Sequence, residues 1–199
     1  MAHTSPWDDR YSSPEFIYGT QPNAFLAAQL APLPPGKALF VFEGEGRNAV
    51  HAAQLGWEVD CFDGSAVARS KALGWAAHRG VELNYTTALL EDFTFPVAEY
   101  NLVVLVFAHL PPELRGGMHQ KCMHALKPGG TLLLEGFRPE QLPLTSGGPK
   151  DAAWLYTCNL LREDFAEMQS LDVSAANPLL DEGPLHQGPA ATVRVVGIR

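Results

Sequence analysis

Positive charge is scarce in this sequence and is nowhere clustered. The 199 residues include 14 lysines and arginines against 22 aspartates and glutamates, which gives a formal net charge of -8. Proteins that bind nucleic acid or an anionic membrane surface present lysine and arginine in patches, because these side chains must neutralise phosphate groups. We therefore expect no nucleic-acid partner and no membrane partner.

Cysteine is also rare. The three cysteines, Cys61, Cys122 and Cys158, share no C-x-x-C spacing, so the sequence predicts neither a disulfide framework nor a zinc knuckle. His119 and His124 stand near Cys122, but the two histidines are five residues apart and no fourth ligand has a matching spacing. We predict no metal site.

Long apolar runs are missing as well. No segment approaches the length of a membrane span, and the first residues contain no apolar stretch of signal-peptide length. Hydrophobic residues make up 46% of the chain, which is enough for one substantial core. We expect a cytoplasmic protein with a single domain over residues 1–199. Neither a heptad repeat nor an apolar stripe indicates its oligomeric state.

The most informative stretch is an apolar strand pattern that runs into a glycine turn. Leu39 to Phe42 is continuously apolar, as expected for a strand covered on both faces. It leads into Gly44-x-Gly46-x-x-Ala49, which fits the G-x-G-x-x-[GA] spacing of nucleotide-binding loops. Glycines let a ligand approach the backbone, and the following helix start offers free N–H groups. A purely structural turn between a strand and a helix has the same spacing.

Strand and helix patterns alternate along the rest of the chain, which is typical of an α/β fold. The last two strand patterns, 171–177 and 191–198, have no helix between them, so we predict an antiparallel hairpin at the sheet edge. The other predicted strands are 57–62, 81–87, 100–107 and 131–137, and the predicted helices are 24–30, 48–55, 66–79, 111–126 and 155–169.

A carboxylate ends the second predicted strand. Asp63 lies 17 residues after Gly46, and ligands of open parallel sheets bind at the carboxyl ends of the strands. A carboxylate at this position can accept hydrogen bonds from the two hydroxyls of a ribose. A helix cap or a solvated acid is the alternative. Glu43 and Glu45 add negative charge to the glycine turn, which disfavours a pyrophosphate and favours a cationic ligand.

Further motifs extend this pattern over nearly the whole chain. They are Trp7-Asp8-Asp9-Arg10-Tyr11 with Tyr18-Gly19-Thr20-Gln21-Pro22-Asn23, the loop Glu43 to Ala49, Asp63-Gly64-Ser65, Phe107-Ala108-His109-Leu110-Pro111 and Leu126-Lys127-Pro128-Gly129-Gly130. Together they resemble the class I S-adenosylmethionine-dependent methyltransferases, and within them a small bacterial group similar to the tellurite-resistance methyltransferase family. Pro139-Glu140-Gln141-Leu142 and Glu182-Gly183 with His186 also look like that small group.

The resemblance implies a Rossmann-like seven-stranded sheet, mostly parallel with a C-terminal antiparallel hairpin, and helices on both faces. It implies S-adenosyl-L-methionine as the cofactor and a small molecule as the methyl acceptor, with an arm and helix over the cofactor site in residues 1–30. The cofactor-binding residues expected from it are Tyr18, Glu43, Gly44, Glu45, Gly46, Asn48, Asp63, Gly64, Ser65, Leu89, Leu90 and Phe107.

Methyl transfer from a sulfonium requires alignment of the reacting groups rather than a covalent nucleophile on the protein. His109, just past the fourth strand, is the candidate catalytic residue, which takes a proton or orients the acceptor; capping or packing is the alternative. Tyr11, Arg138 and His186 are the candidate substrate residues, with packing of the arm and of the closing loop as the alternative. The resemblance points to thiols, tellurite, selenite or other small soft nucleophiles as acceptors.

Two other functions stay open at this stage. Phe40 and Phe42 stand where related enzymes keep an acid and a glycine, and Leu89 stands where an acid or asparagine receives the adenine amino group. These departures motivate a methyltransferase-like domain with weak or lost cofactor binding that acts as a binding protein. An NAD-dependent oxidoreductase also fits the glycine spacing. It is disfavoured by the acids in the turn and by the lack of room for a substrate domain.

Overall fold

The structure is a computed structural model that describes residues 6–199, so residues 1–5 of the predicted arm lie outside it. The strands are β1 Lys37–Val41, β2 Glu58–Asp63, β3 Asn84–Thr87, β4 Tyr100–Val106, β5 Leu126–Phe137, β6 Ser170–Ala176, β7 Leu179–Asp181, β8 Gln187–Pro189 and β9 Thr192–Ile198. The helices are α1 Pro6–Tyr11, α2 Ala24–Leu30, α3 Arg47–Gln54, α4 Ala66–His78, α5 Pro112–Ala125 and α6 Cys158–Asp164. Across residues 6–199, none of these helices is long and apolar enough to cross a membrane.

Seven strands form one sheet in the order β3-β2-β1-β4-β5-β9-β6. The pairs from β3 to β5 are parallel, whereas β9 pairs antiparallel with both β5 and β6. A strand that follows its neighbour without a crossover helix can pair with it only in the antiparallel direction. The predicted fold class, a mostly parallel sheet that ends in an antiparallel hairpin, is confirmed.

Strand β1 faces a separate apolar core on each side of the sheet. Leu39 and Val41 belong to one cluster of buried side chains, and Ala38 and Phe40 belong to the other. The first cluster includes residues of α5 and α6, and the second includes residues of α2, α3 and α4. Successive side chains of a strand point to opposite faces, so a continuous apolar run is the pattern of a strand covered on both.

The last predicted helix is shorter in the structure than in the sequence prediction. We expected helix over 155–169, but α6 spans only Cys158–Asp164 and follows a 3-10 turn at Ala152–Trp154. Tyr156 between them is extended, because its N–H donates to the Phe137 carbonyl (2.9 Å) and its hydroxyl donates to the Ala108 carbonyl (2.6 Å). Tertiary hydrogen bonds thus replace the first helical turn.

The segment after β6, which was predicted as a plain loop, also contains structure. Strands β7 and β8 pair antiparallel within it and form a separate two-stranded sheet. This small hairpin carries Glu182 and His186 in the loop between its strands. The loop is therefore held in a defined position relative to the main sheet.

Helix α4 anchors the N-terminal arm. The Ser65 hydroxyl, at the start of α4, donates a hydrogen bond to the Asp8 carboxylate (2.5 Å). Further along the helix, the Lys71 ammonium donates to the carbonyls of Ser13 (2.8 Å) and Glu15 (2.6 Å). These contacts place the arm beside the carboxyl ends of β1 and β2.

We predict that Gly46→Ala destabilises the protein more than Gly80→Ala does. Both glycines have positive φ, 87° and 70°, but a Cβ on Gly46 stands 2.6 Å from the Ala72 Cβ, whereas nothing lies within 4 Å at Gly80. Alanine in this backbone conformation is strained by about 1–2 kcal/mol, and this cost applies to both variants. The clash at Gly46 adds about 1–3 kcal/mol. Urea unfolding monitored by circular dichroism measures the free energy of unfolding of both variants. Equal losses of this free energy contradict the packing role of Gly46.

Candidate active site

A cavity of about 750 Å³ opens at the carboxyl ends of β1, β2 and β4. Its wall comes from the residues that follow each strand: Phe42 to Glu45 after β1, Asp63 and Gly64 around the end of β2, and Phe107 to Pro111 after β4. Cavities that bind small ligands have volumes of roughly 300–1,000 Å³. This position is where open α/β sheets bind their ligands.

The structure brings most of the predicted site residues together in this cavity. Those that line it are Tyr11, Tyr18, Glu43, Gly44, Glu45, Asn48, Asp63, Gly64, Leu89, Leu90, Phe107, His109 and His186. Gly46, Ser65 and Arg138 do not line it. Gly46 backs onto helix α4, and the Ser65 hydroxyl accepts from the Ala68 N–H as the cap of that helix (3.0 Å). Arg138 donates to the Asn177 side chain (2.8 Å) and pairs with Glu140 (3.3 Å).

Two acids brace the glycine turn from opposite sides. Glu43 accepts from the N–H groups of Asn48 (2.9 Å) and Ala49 (2.8 Å) and so caps helix α3. Asp63 accepts from the N–H groups of Gly44 (3.2 Å) and Ser65 (2.9 Å). Burial raises the pKa of Glu43 to about 7 and that of Asp63 to about 6, although the N–H donors oppose the shift. A cation bound nearby would therefore stabilise the ionised form of each carboxylate.

Glu45, the third acid of the turn, is already paired. Its carboxylate forms an ion pair with Lys71 of helix α4 and accepts from the Tyr18 N–H (3.4 Å). Since Lys71 also binds the arm carbonyls, Glu45 and Lys71 together attach the arm to the glycine turn. The sequence suggested a free acid beside the ligand, whereas the structure shows an acid engaged in holding the site together.

The arm and strand β3 reach the turn at Gly44. A Cβ at this position stands 2.7 Å from the Tyr11 hydroxyl, and the φ of Gly44 is 61°. From the other side, the Tyr85 hydroxyl donates to the Gly44 carbonyl (2.7 Å). Only a residue without a side chain fits here, because the Tyr11 hydroxyl occupies the space that a Cβ would take.

A buried ion pair joins the glycine turn to the C-terminal hairpin. Arg47, the first residue of α3, donates to the Glu182 carboxylate at 2.7 Å, and both side chains are buried. The Asn23 amide donates to Glu182 (3.0 Å) and to Glu135 (2.6 Å), which lies in β5. Burial alone raises the pKa of Glu182, but the His186 ring and the Arg47 guanidinium outweigh it and hold that pKa at about 2.

His186 stands in the cavity wall between aromatic rings and this ion pair. Its ring centroid lies 4.5 Å from that of Tyr18 and 4.6 Å from that of Phe107. Its Nδ1 lies 3.8 Å from a Glu182 oxygen and is buried without a hydrogen bond from any residue of the described chain. Burial lowers the pKa of His186, so the ring is neutral near pH 7 and faces a carboxylate that stays ionised.

His109 has both ring nitrogens bonded to the backbone. Nδ1 is paired with the Trp154 carbonyl (2.8 Å), and Nε2 accepts from the Phe137 N–H (2.9 Å). These partners assign the proton to Nδ1, because only a nitrogen without hydrogen can accept. Burial lowers the pKa of His109 to about 4. The geometry favours the packing alternative for His109 over a role as proton acceptor.

Aromatic and aliphatic side chains line the other half of the cavity. Phe107 and Phe137 stack with their ring centroids 4.5 Å apart, and the remaining apolar lining includes Phe42, Val106, Leu110, Pro111, Leu114, Pro149 and Trp154. Sequence reasoning missed the last of these, since the loop that carries Trp154 follows β5 after a long stretch without a pattern. Arg47 and Glu182 were missed as a pair because 135 positions separate them in the sequence.

Two of the aromatic residues have a backbone conformation that usually belongs to glycine. Phe42 has a φ of 54° and Phe107 a φ of 55°. Phe42 thus keeps the turn expected of the glycine it replaces, while its ring packs against Phe62 with the centroids 5.3 Å apart. Phe40 is fully buried in the core under the sheet. The cavity stays open beside Phe42, so neither phenylalanine closes it.

The residues present fit a nucleoside-bearing sulfonium cofactor. Gly44 provides bare backbone, Asp63 a carboxylate at the end of β2, and Leu89 and Leu90 apolar surface, all along the same cavity. The uncompensated acids of the turn suit a positive charge.

Comparison with known proteins agrees with this geometry. Residues 39–130 match the family described as a methyltransferase domain. A 2-heptyl-1-hydroxyquinolin-4(1H)-one methyltransferase of Mycobacteroides abscessus is 28% identical over 109 residues. This match covers 53% of the chain and spans 48% of the relative, about half of its length.

Several solved structures share the fold. A protein from work on the conversion of a disulfide bond into a thioacetal group in echinomycin biosynthesis has a TM-score of 0.74 and 20% identity, covering 96% of this chain and 88% of its own. TehB from Haemophilus influenzae has a TM-score of 0.70 and 14% identity, with coverages of 97% and 65%. A methyltransferase from Methanosarcina mazei has a TM-score of 0.68 and 15% identity, with coverages of 89% and 98%.

At these identities the structural likeness establishes the fold alone, and the family match covers residues 39–130, which is less than half of the chain. Residues 39–130 therefore resemble a methyltransferase domain, and this match together with the fold supports S-adenosyl-L-methionine as the cofactor.

Proposed function

We propose that this protein transfers the methyl group of S-adenosyl-L-methionine to a small acceptor whose body is apolar. The observation that carries the proposal is the division of one cavity into two halves. One half contains the bare backbone of Gly44 and the carboxylates of Glu43 and Asp63, and the other is walled by aromatic rings. A ligand in each half brings a cofactor and an acceptor into contact.

The first half would hold the cofactor. Asp63 is positioned to accept from ribose hydroxyls, and Leu89 and Leu90 to cover the base. Glu43 supplies negative charge near the sulfonium. Bound there, the cofactor supplies an activated methyl group, so the protein residues need only hold, orient and exclude water.

The second half favours an apolar acceptor over a bare oxyanion. Arg47 is neutralised by Glu182, and the other two basic residues of the lining, Arg10 and Lys150, donate to the Tyr18 hydroxyl and to the Leu144 carbonyl. The stacked Phe107 and Phe137 instead suit a flat ring. The Mycobacteroides relative is named for a hydroxyquinolinone, which supports a flat ring in the acceptor. A thiol or hydroxyl on an apolar body fits, and membership of the tellurite-resistance group gains no support from the lining.

His186 is the residue we assign to the acceptor's proton. Because Nδ1 faces the ionised Glu182, Nε2 is the nitrogen left to meet a ligand. A neutral imidazole whose other nitrogen faces a carboxylate is suited to accept a proton as the acceptor oxygen or sulfur takes the methyl group. His109, whose two ring nitrogens are both hydrogen-bonded to the backbone, has a structural role in the cavity wall instead.

The two other functions considered from the sequence have less support. A domain without cofactor binding was motivated by Phe42 and Leu89, but the cavity beside them is open. An oxidoreductase needs a pyrophosphate at the start of α3, and there Glu43 already occupies the N–H groups of Asn48 and Ala49.

The first test is binding of S-adenosylhomocysteine by calorimetry. We expect micromolar affinity for the natural protein and a loss of about tenfold or more in Asp63→Asn, because hydrogen bonds to a charged acceptor are the strong ones. Asp60→Asn is the matched control, since Asp60 lies in the same strand but outside the cavity. Absence of binding at millimolar ligand, with the protein folded, contradicts the proposed function.

The second test uses pH. Since the pKa of Glu43 is raised to about 7, its negative charge forms as pH rises from 5.5 to 8. We expect S-adenosylmethionine to gain about tenfold in affinity over this range relative to S-adenosylhomocysteine, which lacks the positive charge of the sulfonium. Asp63, whose pKa of about 6 lies in the same range, contributes part of this gain. In Glu43→Gln, which can still accept the N–H bonds of α3, the part of the gain centred near pH 7 should be lost. Parallel pH profiles for both ligands in the natural protein rule out the assigned role of Glu43.

The same ionisation has an opposite effect on folding. A carboxyl whose pKa is raised in the folded state binds more protons there than in the unfolded chain, so stability falls as pH rises towards 7. Glu43→Gln should therefore flatten the decline in unfolding free energy between pH 5 and 7.

The third test addresses proton transfer. We expect His186→Ala to lower turnover by about a hundredfold with any accepted hydroxyl or thiol substrate, because general-base catalysis contributes on this scale. Its affinity for S-adenosylhomocysteine should change little. His124→Ala, on the exposed side of α5, serves as the control. Unchanged turnover in His186→Ala removes this residue from the mechanism.

A further inference from the structure

Large exposed apolar side chains gather at the mouth of the cavity. Leu114 is 45% exposed and Trp154 is 36% exposed, and both line the cavity. Trp7 of helix α1 is 44% exposed and lines the cavity as well, whereas Val97 and Leu179 lie away from it. A soluble domain normally scatters such side chains singly, so their position next to a ligand cavity needs a reason.

Trp154 is held firmly although its side chain is exposed. It ends the 3-10 turn Ala152–Trp154, which Asp151 caps by accepting from the Ala153 N–H (2.9 Å). Its carbonyl accepts from His109 Nδ1 at 2.8 Å. Immediately after it, Tyr156 is tied to Ala108 by a 2.6 Å hydrogen bond. The indole therefore projects from a backbone that is fixed on both sides.

Leu114 continues the same surface from the neighbouring helix. It lies in the first turn of α5, just after Leu110 and Pro111, which also line the cavity. We call Leu110, Pro111, Leu114 and Trp154 the apolar rim. The rim runs from beside the stacked Phe107 and Phe137 at the interior to solvent at Leu114 and Trp154.

His109 connects the two ends of the apolar rim. Its Nε2 is bonded to the Phe137 N–H at the interior end of the rim, and its Nδ1 to Trp154 at the outer end. One neutral imidazole thus sets the distance between the inner aromatic wall and the exposed indole. It is a positioning residue for the rim.

We infer that the apolar rim binds an alkyl chain, or a similar extended apolar substituent, carried by the methyl acceptor. The inference rests on the proposed function and narrows its substrate class to a hydroxyl- or thiol-bearing ring with an apolar tail. The rim is continuous with the cavity, so a molecule whose ring lies against Phe107 and Phe137 directs its tail along it. Three exposed side chains are far below the area of roughly 1,000 Å² that a protein partner covers.

Phenol, 4-propylphenol and 4-heptylphenol test the inference as binding probes. Each is titrated calorimetrically into the full chain, with and without saturating S-adenosylhomocysteine. Full burial of a methylene changes affinity about fourfold, so a rim that is open on one side should give about twofold for each added methylene. Trp154→Ala and Leu114→Ser should each reduce this dependence on chain length by at least half while leaving phenol affinity within about twofold.

Leu142→Ser is the matched control, because Leu142 is 37% exposed but does not line the cavity. It should retain the full dependence on chain length. Equal affinities for phenol and 4-heptylphenol overturn the inference, and so does a chain-length dependence that survives in both rim variants. These outcomes are separate from the proposed function, which fails if S-adenosylhomocysteine does not bind at all. His109→Asn should weaken the dependence as well, since it releases Trp154.

Discussion

The buried pair of Arg47 and Glu182 is the contact on which the arrangement of the site depends. Its guanidinium and carboxylate lie 2.7 Å apart, and it connects the start of α3 to the loop of the small C-terminal hairpin. Through Asn23 the same network reaches Glu135 in the middle of the sheet. Removal of one partner leaves a buried charge without compensation, which costs about 3–5 kcal/mol. The glycine turn and the loop that carries His186 are thus held by one electrostatic unit.

Charges in this cavity are organised before any ligand arrives. Glu45 is occupied by Lys71, while Glu43 and Asp63 bind backbone N–H groups yet keep raised pKa values. A site preorganised in this way does not have to reorient its dipoles when the ligand binds. The aromatic part of the cavity differs, since the stacked rings of Phe107 and Phe137 are neutral and Arg47 is paired with Glu182.

The sequence was sufficient for the fold because the relevant patterns are local. The apolar run of β1, the glycine turn and the absence of a helix between the last two strands of the main sheet are all readable within short windows, and the topology agrees. Long-range polar contacts are not readable in this way. Arg47 and Glu182 are separated by 135 positions, and nothing in either neighbourhood indicates the other. Likewise, the short α6 and the bonds of His109 depend on Phe137 and Trp154, which the chain brings together only after folding.

The left-handed backbone at Phe42 and Phe107 bears on how this protein can be engineered. A residue with a Cβ in this conformation costs about 1–3 kcal/mol, and the domain bears that cost twice in the wall of its cavity. Ala98 has the same conformation, with a φ of 53°, but lies outside the cavity. Glycine at position 98 relieves strain without touching a ligand, whereas glycine at 42 or 107 exchanges part of the binding surface for thermal stability. Substitutions that raise thermal stability are therefore better made outside the candidate active site.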